Sequence, residues 1–264
     1  MEYASIKNKI ALVMGKNVLM RKLFYMITGI VFLREWYVKR IIKDIFRNNQ
    51  SVKEILDAGS GFGQYCYYCR KKFPQANILG IDINQDYIDN CNRFMEQAGL
   101  QKIVFRREDL TAIDYKNRFD LILSVDVLEH IKKDTKLLSL FAKAVVPDGF
   151  VIISTPTVYR KHHEDGMFVD EHERPGYSEQ DITEKLKNSG FSHIDINYSY
   201  GTWGDLSWRL GVRNFMKIAQ TGLAGKVFAP LYFMVIFPLM FILMLLDYFW
   251  NNKTGTGFVV VARK

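Results

Sequence analysis

The sequence predicts an α/β fold built on a doubly wound parallel sheet, and three observations carry that prediction. From Ser51 onward short apolar runs alternate with helical stretches, a pattern that implies parallel strands joined by right-handed crossovers. A glycine-rich turn, Asp57-Ala58-Gly59-Ser60-Gly61-Phe62-Gly63, stands where the first buried run hands over to a helix. The composition is ordinary for a globular chain, 48% hydrophobic and 24% charged over 264 residues. A chain of this length buries a core without staples, and such a composition excludes a disordered one.

Taken in order, residues 1–50 read as a basic amphipathic helical segment. Lys7, Lys9, Lys16, Arg21, Lys22, Arg34, Lys39, Arg40 and Lys43 stand there among Phe24, Tyr25, Phe32 and Trp36. Lys16, Arg21 and Lys22 break the apolar stretch from Ile10 to Leu33, which fits an interfacial helix or helix pair rather than a span. No cleavable signal peptide is expected. The core, residues 51–200, opens with a strand at Lys53–Ala58 and a helix at Phe62–Phe73. A strand at Ile78–Ile83, a helix to Ala98 and strands at Ile103–Arg107 and Phe119–Val127 follow. A helix at Lys133–Val145, a turn at Pro147-Asp148-Gly149 and a strand at Phe150–Ser154 come next. After a polar loop come a helix at Ser178–Asn188 and a strand at His193–Tyr200. Residues 201–254 are an insertion with a very apolar centre, and residues 255–264 hold a last strand, Gly257–Arg263.

Glycines at a strand-to-helix turn let the backbone bend sharply and approach a ligand closely. The spacing is G-x-G-x-G, so neither a dinucleotide G-x-G-x-x-G nor a phosphate loop ending in Gly-Lys-Ser/Thr is present. Asp82 ends the second strand, 25 residues after Asp57, where an acid can accept both hydroxyls of a ribose. Glu108-Asp109 ends the third, where an adenine amino group can be read. Cys66 and Cys69 form C-x-x-C, but with no second pair they read as packing, as does Cys91. Three cysteines cannot make a disulfide framework, and a reducing compartment is expected.

In order, the segments ILDAGSGFG, GIDIN, REDL, FDLILSVDVLEHI and the Pro-Asp-Gly turn before FVIISTP resemble the class I S-adenosylmethionine-dependent methyltransferases. The D-x-x-E-H set is similar to the E-x-x-E-H of the ubiquinone-biosynthesis O-methyltransferases within that class. The resemblance covers residues 50–200 and 257–264. It implies a Rossmann-like seven-stranded sheet in the order 3-2-1-4-5-7-6, with an antiparallel strand 7 that GFVVVAR fits. It also implies that S-adenosylmethionine is bound. Gly59, Ser60, Gly61 and Gly63 then face its methionine part and Asp57 lies near its amino group. Asp82 with Ile83 holds the ribose, Asp109 with Leu110 the adenine, and Ser124 and Val125 border the sulfonium.

Methyl transfer from a sulfonium is an in-line displacement, so the protein supplies alignment and, for an oxygen acceptor, removal of a proton. Asp126, Glu129 and His130 lie on the turn after the fourth strand; His162, His163, Glu164, Asp170, Glu171 and His172 lie after the fifth. Three roles fit these groups. Asp126, Glu129 and His130 with a loop histidine bind a divalent metal such as magnesium, which lowers an acceptor hydroxyl's pKa; or a histidine, His130, His162, His163 or His172, is a metal-free base; or the cluster is structural. Asp in place of Glu at the first position shortens the reach to a metal. His172 and Arg174 either touch the acceptor or order the loop.

Val227–Leu246 is twenty residues without a charge, about the length of a bilayer span. Pro230 and Pro238 are expected to kink or break a helix there. A single crossing conflicts with the return of Gly257–Arg263 to the sheet, so the segment dips in and returns as a hairpin, lies in the interface, or packs on the protein. Its flank is basic, with Arg209, Arg213, Lys217 and Lys226 near Trp203 and Trp208. The N-terminal segment and the insertion are expected to pack together as an apolar platform with a basic rim. The alternatives are a dimer interface or a buried cap. The net charge of +8 points to an anionic partner. The expectation is a methyltransferase on the inner, cytoplasmic face of a membrane, peripheral or monotopic. Its acceptor is a lipid or amphiphile: a quinone precursor, a lipid-linked sugar or a lipid head group, with oxygen favoured. An RNA methyltransferase ranks lower, because the cations are interleaved with long apolar runs. A non-catalytic membrane-bound subunit is the remaining alternative, and the oligomeric state is not fixed.

Overall fold

The computed structural model describes residues 17–48, 52–159 and 172–264. Seven strands form one sheet: β1 (Glu54–Ala58), β2 (Asn77–Asp82), β3 (Ile103–Arg107), β4 (Phe119–Val125), β5 (Val145–Pro156), β6 (His193–Ser199) and β7 (Gly257–Arg263). Their order is β3-β2-β1-β4-β5-β7-β6, and β7 runs antiparallel between β5 and β6, as the sequence led us to expect. Successive side chains on a strand face opposite ways, so each strand feeds two cores. On one face Ile55, Leu121 and Ile152 pack with Ile42, Cys66 and Phe94 of α2 (Leu33–Asn48), α3 (Gln64–Lys72) and α4 (Gln85–Gln97). On the other, Leu56, Ile122 and Ile153 meet Leu138, Phe141 and Leu186 of α5 (Asp134–Ala144) and α6 (Glu179–Asn188). Each large side chain so buried contributes roughly 1.5–3 kcal/mol.

Of the boundaries that differ from expectation, two have a local cause. β4 stops at Val125, because Asp126 turns into the left-handed region at φ 54°. β5 starts at Val145 and carries the Pro147-Asp148-Gly149 turn within it as a register shift.

Before the sheet, α1 (Val18–Val31) is capped by Asn17, whose side chain accepts the Leu19 N–H. Its outer face exposes Leu19, Leu23, Met26, Ile27 and Ile30. Arg21 and Tyr25 are not on that surface. They are buried on the inner face, which corrects their assignment to a basic, lipid-facing rim; Lys22 remains exposed. Lys7, Lys9 and Lys16 lie outside the described residues.

The insertion is a helical hairpin. One arm runs through α7 (Thr202–Trp208), a π-helical turn (Arg209–Arg213) and α8 (Asn214–Ala219); α9 (Leu223–Phe249) returns. At 27 residues and about 1.5 Å per residue, α9 is roughly 40 Å long. The arms touch closely at Gly211, where a Cβ would sit 2.0 Å from Met240 Sδ. The Tyr232 hydroxyl donates to the Leu210 carbonyl at 2.6 Å, within the π turn. At the base, buried Asp247 accepts from the Tyr37 hydroxyl at 2.9 Å and the Gly204 N–H at 2.9 Å. Trp36 and Tyr37 of α2 stack on Phe241 and Tyr248, so the N-terminal segment and the insertion do meet. α9 continues through Pro230 and Pro238 rather than breaking at them. Both prolines are solvent-exposed, and the tertiary contacts along the opposite side hold the helix together.

Candidate active site

The carboxyl ends of β1, β2 and β4 gather the residues singled out in the sequence, at the edge where open α/β sheets bind ligands. The glycine turn is fixed by its own backbone. The N–H groups of Gly59 and Ser60 both donate to the Ile81 carbonyl at 2.8 Å, and Gly63 N–H donates to the Ser60 carbonyl at 2.8 Å. Gly59 has φ 81° and a Cβ there would lie 2.2 Å from Val127 Cγ2. Gly61 has φ 49°, and a Cβ on it would meet nothing within 4 Å. It is the open point of the turn, where a ligand can approach the backbone. The buried hydroxyls of Ser60 and Ser124 have no hydrogen-bond partner. Such orphaned groups are rare, and a polar ligand seated here is one way to satisfy them.

Asp82 is half-buried at the end of β2. Its two oxygens accept from Gly61 N–H and Asn84 N–H, each at 2.9 Å, which leaves about half of a carboxylate's acceptor capacity. Ile83 beside it is 67% exposed, an apolar surface at the strand end. Asp57 is buried, and its carboxylate accepts from the Cys66 thiol at 3.2 Å. Burial pushes its pKa up to about 7, and the charge of Asp82 adds to this while the Cys66 hydrogen bond opposes it. The C-x-x-C cysteines are thus buried and unpaired, and one of them orients an acid. At β3, Asp109 is exposed and tied to the N–H and hydroxyl of Thr111 at 2.8 Å, while Leu110 is buried in the core. Glu108 accepts the Tyr115 hydroxyl on both oxygens. Val125 is half-buried at the end of β4.

Beyond β4, Asp126 forms an ion pair with Arg34 from the first turn of α2. Its left-handed backbone is held by its N–H to the Ser154 carbonyl at 2.9 Å. Glu129 is buried and accepts the Thr155 hydroxyl at 3.0 Å. Burial first, and the Asp126 charge second, push its carboxyl well above the usual range. His130 and His172 meet edge to face, with ring centroids 4.6 Å apart. Glu129, His130 and His172 bring ligand-type atoms within 4.8 Å of one another. That group contains a loop histidine but not Asp126. His162 and His163, with Glu164, Asp170 and Glu171, lie outside the described residues. Arg174 is locked onto Asp134, which also accepts the Tyr177 hydroxyl at 2.8 Å; it orders the loop.

Sequence reading missed Arg34, Tyr65 and Tyr200. Arg34 was assigned to a surface rim, yet it faces Asp126, and its own N–H donates to the Tyr200 hydroxyl at 3.3 Å. Tyr65 is buried, and its hydroxyl has no hydrogen-bond partner. Nothing local marks these residues: Arg34 meets Asp126 and Tyr200 only across the fold, and nothing beside Tyr65 in the chain signals its burial.

A family profile described as a methyltransferase domain matches residues 33–196, more than half of the chain. The chain belongs to that family. This methyltransferase is 27% identical over 129 residues to a ubiquinone biosynthesis O-methyltransferase of Rickettsia conorii, covering 47% of this chain and 42% of that one. It is 30% identical over 152 residues to phosphoethanolamine N-methyltransferase 1 of Arabidopsis thaliana, covering 54% of this chain and 29% of the relative. The matches thus span less than half the length of these curated relatives. In fold it is similar to phosphoethanolamine N-methyltransferase 2 of Haemonchus contortus, solved with S-adenosyl-L-methionine. The TM-score is 0.64 at 17% identity, over 94% of this chain and 57% of that one.

Proposed function

We propose that this methyltransferase uses S-adenosylmethionine to methylate a lipid or amphiphile at the inner face of a membrane, with oxygen as the acceptor atom. The donor reading rests on the open glycine, the orphaned serine hydroxyls and the half-free Asp82. When bound, the donor supplies an electrophilic methyl group. The chain's own residues do the rest. Asp57 and Asp82 orient the donor, and Ser124 and Val125 border its reacting end. An imidazole nitrogen of His130 takes the acceptor hydroxyl's proton, with His172 beside it. The relatives' names span both O- and N-methylation, and the cluster of buried Glu129 with His130 and His172 favours oxygen, which needs proton removal. His130→Gln is expected to lower kcat by roughly 100-fold or more while S-adenosylhomocysteine affinity holds; full activity would remove the base.

The metal-free base is the preferred form. Glu129 is committed to Thr155 and held toward its neutral state, and a neutral carboxyl is a poor ligand. A divalent ion on Glu129, His130 and His172 remains the second reading because their donor atoms converge. Activity that survives a chelator dismisses it.

The observation that carries the membrane reading is the outer face of α9. Leu223, Val227, Phe228, Leu231, Met234, Val235, Leu239 and Ile242 are all exposed there. Contiguous apolar surface of this kind marks an interaction site. Lys226 lies on α9, and Arg213 and Lys217 stand four residues apart on the facing arm, where Arg209 is paired with Asp205. Cations beside apolar surface suit an anionic bilayer, each near the surface contributing about 1 kcal/mol. Val227, Leu231 and Val235 are 61%, 50% and 78% exposed, so aspartates at all three leave the core intact. The wild type is expected to sediment with phosphatidylglycerol-containing vesicles and the triple variant to stay in solution with an unchanged melting temperature. Equal sedimentation would overturn the platform.

A further inference from the structure

Helix α1 lies before the segment that the family profile matches, yet it reaches into the glycine turn. Arg21 is fully buried, and its hydrogen-bond partners among the described residues are uncharged. Its Nη2 donates to the Phe62 carbonyl at 2.8 Å, its Nη1 to Asn90 Oδ1 at 2.9 Å and its Nε to the Tyr25 hydroxyl at 3.0 Å. The Tyr25 hydroxyl donates in turn to the same Phe62 carbonyl at 2.5 Å. The guanidinium also lies among the rings of Tyr25, Phe62 and Phe94. One carbonyl thus receives two donors from α1, and that carbonyl sits between Gly61 and Gly63, both at positive φ.

A packing role alone does not call for this cation, because an apolar side chain of similar volume fills the space without the desolvation cost of a guanidinium. The Phe62 carbonyl shares its peptide plane with the Gly63 N–H, which donates to the Ser60 carbonyl, and the Ser60 carbonyl shares its plane with the Gly61 N–H that holds Asp82, so one hydrogen bond joins the two peptide groups. Fixing one restrains the other, and a turn with three positive-φ glycines has much conformational freedom to lose. Losing it before the ligand arrives raises affinity. We propose that Arg21 and Tyr25 are positioning residues for the donor site, holding the Phe62 carbonyl and through it Gly61 and Asp82. This rests on the reading of the glycine turn as the donor site.

The test is calorimetric titration of S-adenosylhomocysteine into the full chain and four variants, with a thermal melt of each. Arg21→Met is expected to weaken binding about tenfold or more, the loss of one or two buried charge-assisted hydrogen bonds. Arg21→Lys is expected to recover part of that loss, and Tyr25→Phe to weaken binding several-fold. Tyr37→Phe removes an equally buried hydroxyl at the hairpin base; it is expected to lower the melting temperature and leave affinity unchanged. Wild-type affinity in both Arg21→Met and Tyr25→Phe overturns the proposal, as does an equal loss in Tyr37→Phe, since affinity would then only track stability. If Arg21→Met does not fold, Tyr25→Phe against Tyr37→Phe decides. A wild type that binds no S-adenosylhomocysteine overturns the donor reading itself, a result distinct from these.

Discussion

Asp57 sets a sign that can be measured. Its carboxyl is raised in the folded chain from 3.8 to about 7, so folding favours the protonated form. Its contribution to stability is complete below about pH 4 and is lost as pH rises through 7. Asp57→Asn is expected to flatten the melting temperature over that range and to melt higher than the wild type at pH 8. A donor ammonium beside Asp57 favours the carboxylate, so the wild type is expected to bind S-adenosylhomocysteine more tightly as pH rises toward 7 and to release a proton on binding. Calorimetry in buffers of different ionisation enthalpy measures that proton. Asp82→Ala removes charge-assisted acceptors and the anchor of Gly61; donor affinity is expected to fall 10- to 1000-fold, roughly 1.5–4 kcal/mol. These two acids were legible because each ends a strand beside its own turn. Arg34 and Arg21 were not, because the partners that pull them inward, Asp126 and Asn90, stand 92 and 69 residues away in the chain. Basic residues in an amphipathic pattern read as surface until a partner is known.

At the scale of elements, alternating strands and helices made the parallel α/β class readable, and the resemblance to the class I methyltransferases implied the sheet order, with the valine-rich last strand between β5 and β6. The hairpin was readable in length but not in form. A proline inside an apolar run argues for a break, and only the facing arm shows why α9 continues. That arm is held at Asp247, Gly211 and Tyr232. Asp247→Ala strands the Gly204 N–H in a buried place, while the Tyr37 hydroxyl keeps the backbone carbonyl of residue 247 and Asn252. The expected loss is about 1–3 kcal/mol in urea unfolding, with the hairpin cut first in limited proteolysis. A change below ~0.5 kcal/mol would show that the base is not held there.

For the whole molecule, two surfaces meet on α1. Its inner side grips the glycine turn and its outer side exposes Leu19, Leu23 and Ile27. On the proposed membrane reading, binding at one face is linked to binding at the other, and linkage is reciprocal. Anionic vesicles are expected to tighten S-adenosylhomocysteine binding in the wild type, and Leu23→Asp to remove that gain while basal affinity holds; titration with and without vesicles reads both. The proposed methyl transfer depends on a nucleoside sulfonium lodging at Gly61. The decisive measurement is a crystal structure grown with S-adenosylhomocysteine. Its ribose hydroxyls are expected on Asp82 and its methionine part against Gly61. Electron density for the ligand elsewhere, with the turn still closed on its own side chains, would contradict it.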